Sequence, residues 1–271
     1  MLVLSVDFHK EDMEEMMRNR ATLIESLETY RQSIGHQADP SQDIDDRVLM
    51  AWIFHDNLLE GRTFKPHEIQ AALKGDDQSM PSYLRPLLED IRSYRLAIKM
   101  VTRWASEGES SFHRDHLDVL HRHLVQHEPA EGAKIRKNSP VHRDYHQKIC
   151  SPREVTKRLN ALFIDMKRFN VEVDDVLSYA ARLQHQLMFI YPFRRQPGVL
   201  ARLFTNQFMM MHNYPPLILA AHERGLYYDA LASHDHSALT QLFYQAAWRY
   251  LDSIYPPSKV TLQSQKRATA I

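Results

Sequence analysis

Seven glycines in 271 residues, with apolar side chains recurring at three- and four-residue spacing along nearly every segment, leave little room for strands. The pattern predicts an all-α fold. A first helix is expected from about Glu11 to Ser33, with Met13, Met16, Met17, Leu23, Leu27 and Tyr30 on its apolar side. Further helices are expected over Ile44 to Leu59, Pro66 to Leu73, Tyr83 to Ala105 and Phe112 to Gln126. Gly61, just after Glu60, stands where a helix C-terminus would need a left-handed residue. In Ser151-Pro152-Arg153-Glu154, a capping box and a proline at the first helical position agree on a helix start. Helices then follow over Asp174 to Ile190, Gly198 to His212, Pro216 to Ala232 and Ser237 to Ile254.

One zone breaks this pattern. Residues Glu128 to Cys150 hold Pro129, Gly132 and Asn138-Ser139-Pro140, which reads as a small basic hairpin turning at Asn138 to Pro140. The chain therefore divides into an N-terminal helix and linker (1–38), a helical region (43–106), a core (112–255) and a polar tail (256–271).

Charge excludes some classes of function. The 34 basic and 34 acidic residues cancel, so neither nucleic acid nor an acidic membrane is favoured as a partner. No apolar run approaches the roughly 20 residues of a membrane-spanning helix. The lone Cys150 fits a reducing compartment, and a cytoplasmic protein is expected. Sixteen histidines raise the question of metal. His113/His116 and His123/His127 have helical ligand spacing, but without Cys or an H-E-x-x-H pattern they read as core or surface histidines.

The break at Tyr191 to Pro197 carries a resemblance. Tyr191-Pro192-Phe193-Arg194-Arg195-Gln196-Pro197-Gly198-Val199-Leu200-Ala201-Arg202 resembles the Fic family signature H-P-F-x-[D/E]-G-N-G-R-x-x-R, agreeing at Pro192, Phe193, Gly198 and Arg202. The flanks strengthen it. Leu183 to Ile190 is similar to the helix before the motif, and Leu203-Phe204-Thr205-Asn206 to its L-L-x-N continuation. Asn213-Tyr214-Pro215-Pro216 is similar to a G-Y-P-P turn and Tyr228-Asp229-Ala230-Leu231 to Y-x-A-L. The run Gly132 to Arg136 and the start Ser151 to Val155 are similar to the G-x-x-R hairpin and the P-P-x-x-V helix start. The resemblance implies a Fic-type helical bundle with a β-hairpin flap and an N-terminal helical extension. It also implies an ancestry in AMP transfer to protein hydroxyls.

It further implies site residues. His55 to Thr63 resembles the family's inhibitory segment, [S/T]-x-x-x-E-[G/N], with Asp56 in place of the hydroxyl residue. Carried over, Glu60 should meet Arg202. In the motif, Tyr191 stands for the general base, Arg195 for the Mg²⁺-holding acid and Val199 for the first arginine. A phenol is a poor base at neutral pH, a guanidinium repels a cation, and Pro197 removes one backbone N–H from the phosphate cradle. AMP transfer by the family mechanism is not expected. Arg194, Gly198 and Arg202 remain candidates for holding ATP or another nucleotide without Mg²⁺; alternatively the loop arginines are solvated or paired with carboxylates. The flap, with Lys134, Ile135 and Arg136, could dock a target protein along residues 133–149 by strand addition. Two rivals stay open. One is a divergent transferase using His185, His142 or His146 as base; the other is a structural protein forming a homodimer through its first helix.

Overall fold

The computed structural model describes residues 22–32, 44–76, 78, 80–108, 112–140, 149–170 and 175–253. Within them the chain is helical. The elements are α1 (22–32), α2 (Asp46–Leu59), α3 (Pro66–Lys74), α4 (Arg85–Ser106), α5 (Arg114–Leu124), α6 (Val155–Met166), α7 (Val176–Ile190), α8 (Pro197–Met211), α9 (Arg224–Ala232) and α10 (Ser237–Ser253). Four one-turn 3₁₀ segments precede α4, α6 and α9 or follow α5.

Helix α8 is the axis of the bundle. Every residue from Pro197 to Met209 is buried, as expected of a helix that is apolar nearly all round. It packs against α4, α5 and α7, while α10 and α6 cover α7 and α3 covers α4. One continuous apolar core runs from Leu23 to Leu251. The polar residues of α8 consequently lie inside the protein and need partners there. Asn206 shows how this shapes the chain. Its Oδ1 accepts the Leu217 N–H at 2.7 Å and its Nδ2 donates to the Leu217 carbonyl at 3.2 Å.

That clamp corrects one expectation. The helix expected from Pro216 begins only at Ala221, with a 3₁₀ turn, because Asn206 captures both backbone groups of Leu217 and holds 214–220 non-helical. The flap lies only partly within the described residues. Among the described residues there is no hairpin, only a single antiparallel bridge between Ile135 and Phe193. The expected return strand falls largely on 141–148, outside the described residues, as do the tail 256–271 and Met13, Met16 and Met17. In α1, Leu23, Leu27 and Tyr30 are buried in the chain's own core, and Tyr30 meets Tyr250 edge-on at 6.0 Å.

Three local signals act as the sequence suggests. Gly61 has φ +73°, and the N–H groups of Gly61 and Arg62 return to Leu58 and Asn57 at 3.0 and 2.9 Å. This Schellman turn ends α2 and fixes Glu60 at its edge. Ser151 and Glu154 form their capping box, though the first turn is 3₁₀. Pro197 opens α8 at its first position.

Candidate functional site

The motif loop is strained at both ends. Tyr191 closes α7 at φ +47° and Gln196 caps α8 at φ +52°, left-handed conformations uncommon for side chains with a Cβ. Two buried side chains hold it there. Arg136 donates from Nε to the Tyr191 carbonyl at 2.6 Å and from Nη2 to the carbonyls of Ile190 (3.2 Å) and Cys150 (2.5 Å). Its backbone N–H donates to Pro192 at 3.0 Å. Arg136 thus binds the last carbonyls at the C-terminus of α7, where a cation is favoured. Its side chain is turned inward and is not presented to a target.

His121 is the second support. Its Nδ1 accepts the Ala133 N–H at 2.8 Å, which leaves Nε2 protonated to donate to the Arg195 carbonyl at 3.0 Å. The ring stacks on Phe193 at 4.0 Å, and burial pushes its pKa below the usual value, favouring this neutral form. Neighbouring histidines also serve packing. His123 hydrogen-bonds the Ser93 carbonyl at 2.8 Å, and His116 stacks on Trp104 at 3.9 Å.

The replaced motif positions have new engagements. Arg195 is about half exposed and pairs with Glu128 at 2.9 Å. Arg194 is exposed. Val199 is buried in the apolar core. Tyr191 is buried, and its phenol is pushed up to about 12, chiefly by burial and then by the negative charge of Glu60, against an opposing effect from Arg136. Lys134 lies beside the bridge residue Ile135.

Arg202 is the electrostatic centre. It projects from α8, itself buried, between two carboxylates of the α2 segment, Asp56 and Glu60. Its Nη2 donates to Glu60 Oε1 at 2.7 Å and its Nε to Asp56 Oδ1. Its Nη1 faces the Tyr227 hydroxyl at 3.4 Å, which also accepts from Gln184 at 2.8 Å. The Tyr94 hydroxyl donates to the other oxygen of Asp56. Asp56 and Glu60 are four residues apart, so α2 presents both on one face. Burial alone would disfavour the Arg202 cation, but the two carboxylates outweigh it and its pKa rises.

Gly198 makes this approach feasible. A Cβ there would collide with Glu60 Oε1 and lie 3.0 Å from Arg202 Nη1. The Glu60 carboxylate therefore rests against the first turn of α8, where helix N–H groups favour negative charge. From the other side, the Leu59 carbonyl accepts from Arg224 Nε at 2.8 Å and from the Tyr228 hydroxyl at 3.2 Å, pinning the end of α2 to α9.

The structure thus unites Glu60, Gly198 and Arg202, places Tyr191 near Glu60, and sets Arg194 and Arg195 on an exposed turn. His185 lies away from this centre in its bonding, with Nε2 at 3.2 Å from the Ser233 carbonyl. His142 and His146 fall outside the described residues. Sequence reading did not assign roles to Asp56, Tyr94, Tyr227 or His121. Only Asp56 had a usable signal, its four-residue spacing from Glu60.

A helical bundle centred on a loop-to-helix motif, with a carboxylate helix laid over an arginine of that motif, defines a Fic-type architecture. The Fic/DOC family model matches residues 111–209, and this stretch of the chain is a Fic domain. It is 25% identical to the protein adenylyltransferase Fic of Nematostella vectensis over 187 residues, covering 68% of this chain and 43% of that protein. It is 26% identical to the Drosophila melanogaster protein of the same name, covering 77% of this chain and 42% of that protein. The chain spans less than half the length of these curated relatives. Among solved structures, Fic-1 (residues 134–508) of C. elegans superposes with a TM-score of 0.66 at 19% identity, over 89% of this chain and 74% of that one. A Fic domain containing signaling protein from Bacteroides thetaiotaomicron gives 0.67 at 15% identity, over 85% and 94%.

The Mg²⁺–nucleotide expected of such a fold does not suit these residues as they stand. A guanidinium, that of Arg195, stands where the resemblance puts the metal-holding acid, Val199 is buried in the core, and the Glu60 carboxylate lies against Gly198 in the first turn of α8.

Proposed function

We propose that this protein is a catalytically inactive Fic relative that acts through binding or regulation, with its nucleotide site held closed by its own α2. The observation that carries this reading is Tyr191. A general base works best with a pKa near the ambient pH, and this phenol is buried and raised to about 12. At neutral pH it is almost wholly protonated and has no proton-accepting capacity. Loss of a positioned base typically costs about 10²–10⁴ in rate. The Arg195–Glu128 pair and the buried Val199 add independent obstacles, since neither position offers a metal ligand or a phosphate donor.

Glu60 in this reading is an inhibitory carboxylate, supported by its contact with Arg202 and by its place against Gly198. The segment from Gly132 toward 149 is the surface proposed to receive a protein target, through backbone pairing rather than through Arg136. Of the three histidines considered as an alternative base for a divergent transferase, His185 is the one among the described residues, and its Nε2 is engaged with the backbone of Ser233.

Labelled ATP with Mg²⁺ tests the proposal. The purified chain should show no covalent AMP on itself or on added protein, and Tyr191→His alone should not restore transfer, because catalytic groups act as a unit. An adduct formed by the wild type and lost on mutating the 191–199 loop overturns it.

A further inference from the structure

We propose that Asp56 is a second, deeper lock on the anion site, so that displacing Glu60 alone does not open Arg202 to a polyphosphate nucleotide. This rests on the reading of Glu60 as the site's blocking carboxylate and assigns a separate task to its neighbour one turn earlier.

The two carboxylates hold different edges of one cation. Glu60 takes Nη2 at 2.7 Å, and its side chain, 13% exposed, reaches the surface of the site. Asp56 takes Nε from beneath, with its own side chain 6% exposed and its second oxygen bound by the Tyr94 hydroxyl. Glu60 fills volume, lying where a Cβ on Gly198 would fall. Asp56 supplies neutralisation at the Nε edge of the guanidinium, whereas the carboxylate nearest Gly198 is that of Glu60.

Counting charge separates their effects. Two carboxylates face one guanidinium, so the closed site carries an excess negative charge that repels phosphate. Removing Glu60 clears the volume but leaves Asp56 and Arg202 as a buried neutral pair. A phosphate arriving there gains no free cation, and pulling Arg202 toward itself would strand Asp56 as an uncompensated buried charge. Only when Asp56 is also neutral does the site present a net positive guanidinium beside the N-terminus of α8, the combination that binds phosphate well. The hydroxyl residue that the inhibitory segment would otherwise carry at this position could not neutralise Arg202, so the second lock follows from the aspartate itself.

The experiment is ATP binding by calorimetry, with and without Mg²⁺, on the full chain and on Glu60→Gly, Asp56→Ser/Glu60→Gly and Asp56→Asn/Glu60→Gly variants. Circular dichroism melts show which variants are folded, and the asparagine variant, whose amide oxygen still accepts from Arg202 while its NH2 donates to the Tyr94 hydroxyl, stands in should the serine variant unfold. The double variant should bind ATP at least about tenfold more tightly than Glu60→Gly, a difference near 1.4 kcal/mol. Adding Arg202→Gln should abolish that gain. Equal affinity of the single and double variants, or a double variant binding no better than wild type, overturns the proposal. Labelled-ATP transfer measured in parallel keeps the two readings apart. Transfer by the wild type would refute inactivity, whereas the second lock stands or falls on the affinity ratio.

Discussion

Two buried arginines hold this protein together by opposite means. Arg202 is a cation between two carboxylates, with a tyrosine hydroxyl on its remaining edge. Arg136, equally inaccessible, is held by carbonyls, from Ile190, Tyr191 and Cys150 and, at 3.2 Å, Asn138. Burial pushes the Arg136 pKa down and, among the described residues, no carboxylate counters it, whereas that of Arg202 goes up. The contrast teaches that burial of charge alone says little about function. Arg136 serves geometry, fixing the left-handed turn at Tyr191 from below. Arg202 serves electrostatics, binding α2 to α8 across 142 and 146 residues of sequence at the proposed anion site.

The largest effect should come from cutting the charged centre. Arg202→Met leaves Asp56 buried against Tyr94 without its cation, and should destabilise the chain by about 3–5 kcal/mol. Arg136→Met strands neutral carbonyls instead, and should cost about 2 kcal/mol. Urea denaturation of both variants checks the order, and a larger loss for Arg136→Met would break the distinction.

Acid sharpens it further. Neither guanidinium titrates in an accessible range, so any acid lability must originate elsewhere. The candidate is His212, at the far end of α8 between Phe169 and Phe208, whose pKa burial lowers from 6.5 to about 4. A base with a lowered folded pKa binds fewer protons folded than unfolded. Stability should therefore fall as pH drops from about 6.5 to about 4, by up to about 1 kcal/mol per pH unit. Asp56 has the opposite sign. Burial raises its pKa, so its contribution makes folding more favourable as pH falls through the window above its ordinary value. Thermal melts of His212→Asn across this range should be flatter than wild type. Unchanged acid lability would show that another group governs it.

The smallest effect belongs to the exposed loop pair. Arg195 and Glu128 are both about half exposed, and Arg195→Ala should change stability by less than about 1 kcal/mol, with the loss shrinking in high salt. A larger cost would mean that this pair, rather than Arg136 and His121, holds the motif loop.

Much of this was legible in the sequence where structure is decided locally. Helical period located the elements, and the Ser151–Glu154 box, Gly61 and Pro197 marked ends that depend on a few adjacent residues. The motif and its flanks, read in order, identified the fold and brought Glu60 and Arg202 together across the chain. What local signals could not supply was the partner of each buried polar group. The non-helical stretch before Ala221 exists because Asn206 reaches the backbone of Leu217, and nothing in Pro216 to Ala220 announces that. His121 among sixteen histidines looked like its neighbours until packing set it between Ala133 and Arg195. Asp56 was visible only as a substitution; burial beside Tyr94 made it the counter-charge of Arg202. Local sequence sets backbone preference over a few residues, whereas the strength of a charge or hydrogen bond depends on exclusion from water, which only the assembled bundle provides.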